Sequence, residues 1–223
     1  MVRRFLTVFA ALAWSASAQQ KESLAYSINW PSGLSLGEGS ISAVSTGHYW
    51  DFALKLEATI PGYPIRDEFR SRVGGDGLCS VSFEKESTHG ARVTNEKSVF
   101  DADKKVMKRE TSKGGKSESA IAPCAKDALA FLFFLRKELA QGRIPPAQTI
   151  YFGSAYQAAL KFVGAHQVKL GDSRVEADRI TVSLKGPAST TTFDISFARD
   201  ATRTPLVIRS QFAMGSFSME LVP

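Results

Sequence analysis

Histidine and cysteine are scarce in this chain of 223 residues: three histidines and two cysteines. His48, His89 and His166 stand far apart with no short-spaced partner ligand, so the spacing of a metal site is missing. No Gly-rich run leads into a helix starting at Lys-Ser or Lys-Thr, so a phosphate-binding loop is missing too. A Ser-His-Asp hydrolase, whose members can come from distant positions, is the less favoured reading because a β-meander is an unusual host for it. Beyond the N-terminus no apolar run approaches the roughly 20 residues that cross a bilayer. The best of them, Ala128–Leu135, is followed at once by Arg136 and Lys137. Internal repeats and long low-complexity segments are also missing. The expectation is a protein without enzyme activity, cofactor or metal.

What is present begins at the N-terminus. Arg3 and Arg4 precede an apolar run, Phe5 to Trp14, and Ala16-Ser17-Ala18 follows with small side chains. Charge, short apolar run and small residues in that order form a secretion signal. Residues 1–18 are thus expected to be removed, leaving a mature chain, 19–223, that starts at Gln19. No cysteine follows the cleavage point, which argues against a lipid-anchored lipoprotein. The expected location is the periplasm or the extracellular space. The formal charge is +6. Loss of two arginines leaves 26 cations against 22 anions, or +4. So mild an excess, on an exported chain, does not indicate nucleic acid.

Cys79 and Cys124 are both in the mature part. In an oxidising compartment an even pair is most simply a disulfide. Two separate buried thiols are the alternative. A redox-active pair is disfavoured because Cys-x-x-Cys is missing.

Period-two alternation dominates the rest. Trp50, Phe52, Leu54, Leu56, Ala58 and Ile60 alternate with a mostly polar set, the mark of a strand with one wet face. Leu24, Tyr26, Ile28 and Trp30 repeat the pattern. Gly37 and Gly39 cross a further strand, where a bulge or bend is expected. Similar runs recur to Leu221. Short connections favour antiparallel neighbours. One segment differs: Ala125–Ala140 is rich in helix formers, with Pro123 before it and Gly142 after it. Asp127 sits where the helix dipole favours an anion, and Arg136 and Lys137 where it favours cations. Nine positions separate Asp127 from Arg136, which puts them on opposite sides of the helix. The helix is apolar on most sides, so it should be buried on most sides. The expected fold is mainly all-β: a strongly curved antiparallel meander or half-barrel of about a dozen strands, in a single domain, with this helix packed against it. Lys104, Lys105, Lys108 and Arg109 form a basic cluster balanced by Asp101, Asp103 and Glu110, as on a solvated strand face.

The succession Pro123-Cys124, Asp127-Ala128-Leu129, Leu135-Arg136 and Gly142, then short strands, then Asp200, Arg203-x-Pro205, Gly215 and Leu221, resembles an exported bacterial family catalogued as domain of unknown function 3108. Ala130 stands where members often have serine, and Phe133-Phe134 where tyrosines are frequent. The resemblance implies export and β architecture and transfers no catalytic residue. Two functional classes follow from the residues. One is a binding or carrier module for an apolar ligand, a lipid acyl chain or an exported polypeptide, held in a groove formed by Phe131, Phe134, Leu135, Trp50 and Phe52. The other is a structural or assembly factor that contacts envelope proteins.

Overall fold

The computed structural model describes residues 20–60, 62–212 and 215–223, without the side chain of residue 212. The secretion signal and Gln19 as new N-terminus lie outside the described residues.

Among the described residues fifteen strands and one helix make up the fold. The first eight strands are β1 (Lys21–Asn29), β2 (Ser35–Ser45), β3 (Tyr49–Ile60), β4 (Tyr63–Gly74), β5 (Cys79–His89), β6 (Arg92–Asp101), β7 (Val106–Thr111) and β8 (Lys116–Ala120). A two-residue strand β9 (Lys126–Asp127) leads into α1 (Ala128–Ala140). The chain then forms β10 (Gln148–Phe152), β11 (Ser154–Leu170), β12 (Ser173–Lys185), β13 (Thr190–Ala198), β14 (Pro205–Phe212) and β15 (Gly215–Leu221). All fifteen strands belong to one sheet, in the order β8-β7-β6-β5-β4-β3-β2-β1-β15-β14-β13-β12-β11-β10-β9. From β1 in the middle of the sheet the strands step outward to one edge, resume at the other edge and step back, until β15 pairs antiparallel with β1. Sequential neighbours pair antiparallel as the short connections require; the short β9 pairs parallel to β10.

The expected half-barrel is corrected by this order. The end strands β8 and β9 do not pair with each other, so the sheet is open. It is not closed into a barrel and not strongly curled, and it has fifteen strands rather than a dozen. Closure is one way to remove sheet edges. Here one edge carries charged side chains and the other is a two-residue stub hydrogen-bonded to Ser80 of β5, so closure is not needed.

Alternation sets the two faces. Phe52, Leu54 and Leu56 of β3 lie opposite Ser71, Phe69 and Asp67 of β4 on the inner face. On the outer face Asp51 opposes Arg72 and Lys55 opposes Glu68, and both pairs form ion pairs. Arg70, Glu86, Glu84 and Lys97 extend this pattern across β5 and β6. The basic cluster divides between faces: Lys104 meets Asp101 and Lys108 meets Glu118 in solvent, whereas Arg109, next along the strand, turns to the inner face and forms a part-buried pair with Glu96. The expected bulge in β2 occurs where Ile28 pairs with Gly37 but Asn29 with Ser35, leaving Leu36 as the extra residue. A Cβ on Gly37 would fall 1.9 Å from the Glu57 carbonyl oxygen, so only glycine fits there.

The helix begins at Ala128, three residues later than its composition suggests, because Lys126 and Asp127 pair with Ile150 and Tyr151 of β10. Gly142 ends it. Its N–H bonds the Leu139 carbonyl while the Arg143 N–H bonds that of Glu138, a left-handed glycine termination. Leu129, Ala130 and Phe133 enter one apolar cluster with Tyr26, Ile41, Phe52, Val73 and Phe83. Phe131, Leu135 and Leu139 enter another with Ile150, Ile180, Val182, Ile195 and Phe197. Leu132 and Phe134 pack against both. The helix therefore joins the two halves of the sheet through two clusters, which is why it is apolar on most sides. Cys79 and Cys124 are bonded, with Cα atoms 4.5 Å apart. The bond ties the start of β5 to the approach to the helix, beside a hydrogen bond from Ser80 N–H to the Ala125 carbonyl.

Candidate functional site: an apolar groove beyond the helix

The five residues expected to share a groove divide between different places: Trp50 and Phe52 line one cavity, and Phe131, Phe134 and Leu135 do not reach it. Phe131 and Leu135 are core residues of the second cluster, whereas Phe52 belongs to the first and Trp50 packs against it. Phe52 is stacked on Phe133, ring centroids 3.8 Å apart. Phe134 lies beneath the Lys126 ammonium, 4.4 Å from its ring centroid. Phe131, Phe134 and Leu135 fill space around the helix, whereas Trp50 and Phe52 stand together on the wall of a separate cavity at the helix's C-terminal end.

An apolar cavity lies elsewhere, on the inner face at the far ends of the central hairpins. It is lined by Ile28 of β1, Leu36 of β2, Leu56, Ala58 and Ile60 of β3, Tyr63 and Ile65 of β4, Ile208 of β14, and Phe217 and Met219 of β15. Its volume is about 340 Å³. Its origin is geometric. The inner face of β3 continues through Leu56, Ala58 and Ile60, paired with Asp67, Ile65 and Tyr63. Pairing of β1 with β15 brings Ile28 against Met219, and Ile208 of β14 lies next in line. Gly39 contributes no side chain here; a Cβ on it would come within 3.1 Å of the Met219 methyl group and of the Lys55 carbonyl. Trp30 closes on Phe217 edge to face, with centroids 4.8 Å apart.

One ionisable pair stands at the border of this groove. His89 Nε2 lies 3.0 and 3.1 Å from the two carboxylate oxygens of Asp67. His89 is thus a satisfied histidine, as expected for a lone one. Among the described residues no group of three or more His, Cys, Asp or Glu side chains could hold a metal. No helix among them is long and apolar enough to cross a membrane.

Sequence reading missed the groove residues, although the alternation through Ile60 was a signal. That alternation runs past the reach of the 13-residue helix, so inward-facing side chains must remain uncovered there. A second feature was also overlooked. Gly33-Leu34-Ser35-Leu36-Gly37 spells the Gly-x-Ser-x-Gly pattern of a hydrolase nucleophile. That chemistry needs a strand-to-helix elbow. Here the pentapeptide spans the β1–β2 turn and enters a strand, so the elbow geometry is not formed.

A family model described as "Protein of unknown function (DUF3108)" matches residues 25–222. The chain belongs to that family. No curated protein matches it. Among solved structures it is similar to a beta-barrel-like protein of domain of unknown function DUF1849 from Brucella abortus, with a TM-score of 0.62 and 8% identity over 90% of this chain and 94% of that one. At that identity the likeness concerns the fold alone.

Proposed function

We propose that this DUF3108 protein is an exported, non-catalytic carrier that binds the acyl chain of a lipid in the groove between β1–β4 and β14–β15. The observation that carries the reading is the groove itself. Its lining is mostly Ile, Leu, Ala, Met and aromatic side chains, with Ser210, Ser218 and the hydrogen-bonded His89–Asp67 pair as its polar groups. A volume of about 340 Å³ falls at the lower end of the range of about 300–1,000 Å³ that small-ligand sites span. Apolar surface left in contact with water costs about 25 cal/mol per Å², so a chain that displaces water from such a lining is favoured. Export, and with it a site of action in the periplasm or outside the cell, rests on the N-terminal charge, apolar run and Ala16-Ser17-Ala18.

The test uses the mature chain, delipidated and then titrated with a fatty acid. Ligand at about 100 times its dissociation constant adds about 2.7 kcal/mol. In a domain of this size each kcal/mol moves the melting temperature by about 2–4 °C, so a rise of about 5–11 °C is expected. Ala58→Trp should fill the groove and abolish the shift without loss of fold. An unchanged melting temperature with fatty acids and phospholipids would sink the carrier reading.

A further inference from the structure

A second cavity, of about 610 Å³, opens at the other end of β3, between the helix, β1 and the β4–β5 turn. Four residues of β3 separate Phe52, on the wall of this cavity, from Leu56, on the wall of the acyl groove, a rise of about 13 Å at about 3.3 Å each. Its wall is an aromatic stack. Trp50 lies over Phe52 with centroids 6.2 Å apart and planes at 26°. Phe52 lies over Phe133, and the Arg136 guanidinium caps Phe133 at 5.0 Å. Trp50 is the first inward-facing residue of β3, so the strand places no further side chain beyond it.

Polar groups surround this stack. Arg136 donates to both oxygens of Glu22 at 2.7 Å and to the Thr202 carbonyl at 3.0 Å. These bonds engage three of the five guanidinium N–H groups and fix the plane of the side chain. Lys137 Nζ donates to the Asp76 carbonyl oxygen at 2.6 Å, and Gln141 completes the lining. Three cations, Lys21, Arg136 and Lys137, stand against two carboxylates, Glu22 and Asp76. The site is nearly balanced in charge, polar at its border and aromatic on one wall.

We propose that this cavity binds a neutral saccharide whose pyranose ring lies against Trp50. The C–H face of a pyranose carries slight positive charge and matches the negative face of an aromatic ring. Its hydroxyls meet the remaining donors of Arg136, the lone pairs of Glu22 and the Gln141 amide. An acyl chain would leave those polar groups unpaired, and a strongly anionic ligand would face Glu22 and Asp76. This inference goes beyond the carrier reading and is independent of it, because the two cavities share no lining residue.

The experiment is saturation-transfer NMR and calorimetric titration of the mature protein with N-acetylglucosamine trimer and maltotriose, with adenosine as a second stacking ligand. Saturable binding of a saccharide is expected. Trp50→Ala should weaken it about tenfold, the size of one lost ring contact, and Trp50→Phe should restore most of it. Gln141→Ala, at the cavity border, should weaken binding and leave the fold intact. Ala58→Trp should leave saccharide binding unchanged while blocking the acyl groove, so the two readings fail separately. Absence of binding by either saccharide at millimolar concentration would overturn the proposal. So would binding that ignores Trp50 and Gln141, or binding of adenosine in place of the sugars.

Discussion

Asp127 is held on every side. It is completely buried, yet its carboxylate accepts hydrogen bonds from Ser71 and Ser80 Oγ, each at 2.6 Å, and from Leu129 and Ala130 N–H, each at 2.9 Å. It is therefore the N-cap of α1 and the point where the helix is fastened to β4 and β5. Arg136, at the far end, pairs with Glu22 instead, so the two charges act separately as their helical spacing requires. Burial pushes the Asp127 carboxyl above the ordinary carboxylate range, and the four hydrogen bonds oppose that rise only in part. The folded state then holds the proton more tightly than the unfolded chain, whose aspartate titrates near 3.9. Stability from this source is full below about pH 3.9 and is lost as pH rises through the folded pKa. Asp127→Asn keeps the cap and has no charge to bury. Urea unfolding between pH 4 and pH 8 should show the wild type losing stability relative to Asp127→Asn as pH rises; parallel curves would refute the raised pKa. Asp127→Ala removes the cap and strands two buried hydroxyls, at a cost of about 2–4 kcal/mol in the same measurement.

At the scale of elements, α1 is held by packing and by one covalent bond. Phe131 is only 4% exposed and sits between Leu135 and the β10–β13 side chains. Phe131→Ala should cost about 3–5 kcal/mol in denaturant midpoint analysis, because the surrounding strands cannot collapse into the space. A cost under about half a kcal/mol would mean that the ring is not enclosed. The Cys79–Cys124 bond spans a sequence separation of 45, for which the chain-entropy treatment gives about 4 kcal/mol at most. Dithiothreitol should lower the melting temperature accordingly, and non-reducing digestion should release the cross-linked peptide. The helix was legible in the sequence because its signals are local: helix formers, Pro123 before it and Gly142 after it. The strands were legible from alternation, and the disulfide from an even cysteine count. The start at Ala128 was not, since it depends on Lys126 pairing with Ile150 across the chain. The groove was not, since it needs β1 beside β15 and Ile28 against Met219, a pairing that no local pattern encodes. Trp50, Phe52, Phe131, Phe134 and Leu135 were read as one surface because they are all apolar; which cluster each one enters is decided by the register of the sheet.

The whole molecule is an open sheet, and an open sheet has edges to protect. The two-residue β9 offers little backbone, and Ser80 of β5 bonds what it offers: its N–H donates to the Ala125 carbonyl and its Oγ accepts from the Asp127 N–H. β8 is different: all five residues, Lys116 to Ala120, are exposed, and β7 pairs with it on one side only. Its sequence, Lys-Ser-Glu-Ser-Ala, carries a charge at alternate positions. Lys116 pairs with Glu110 and Lys108 with Glu118, on the outer face. Exposed ion pairs of this kind contribute only about 0–1 kcal/mol to folding. Their larger effect is to keep a second copy from adding its own edge, since charged side chains there oppose strand-to-strand association. Replacing Lys116 and Glu118 together with valine would turn the edge into an alternating apolar strand. The altered chain should associate edge to edge through β8, antiparallel and two-fold symmetric, which light scattering would detect as a rise in mass with concentration. Replacing Lys55 and Glu68 with valine removes an equivalent pair from β3 and β4, which are hydrogen-bonded on both sides. That second variant should lose about 1 kcal/mol or less and stay at its original mass. Association of both variants would trace the effect to apolar surface alone, and association of neither would show that β8 is protected by something other than its charge.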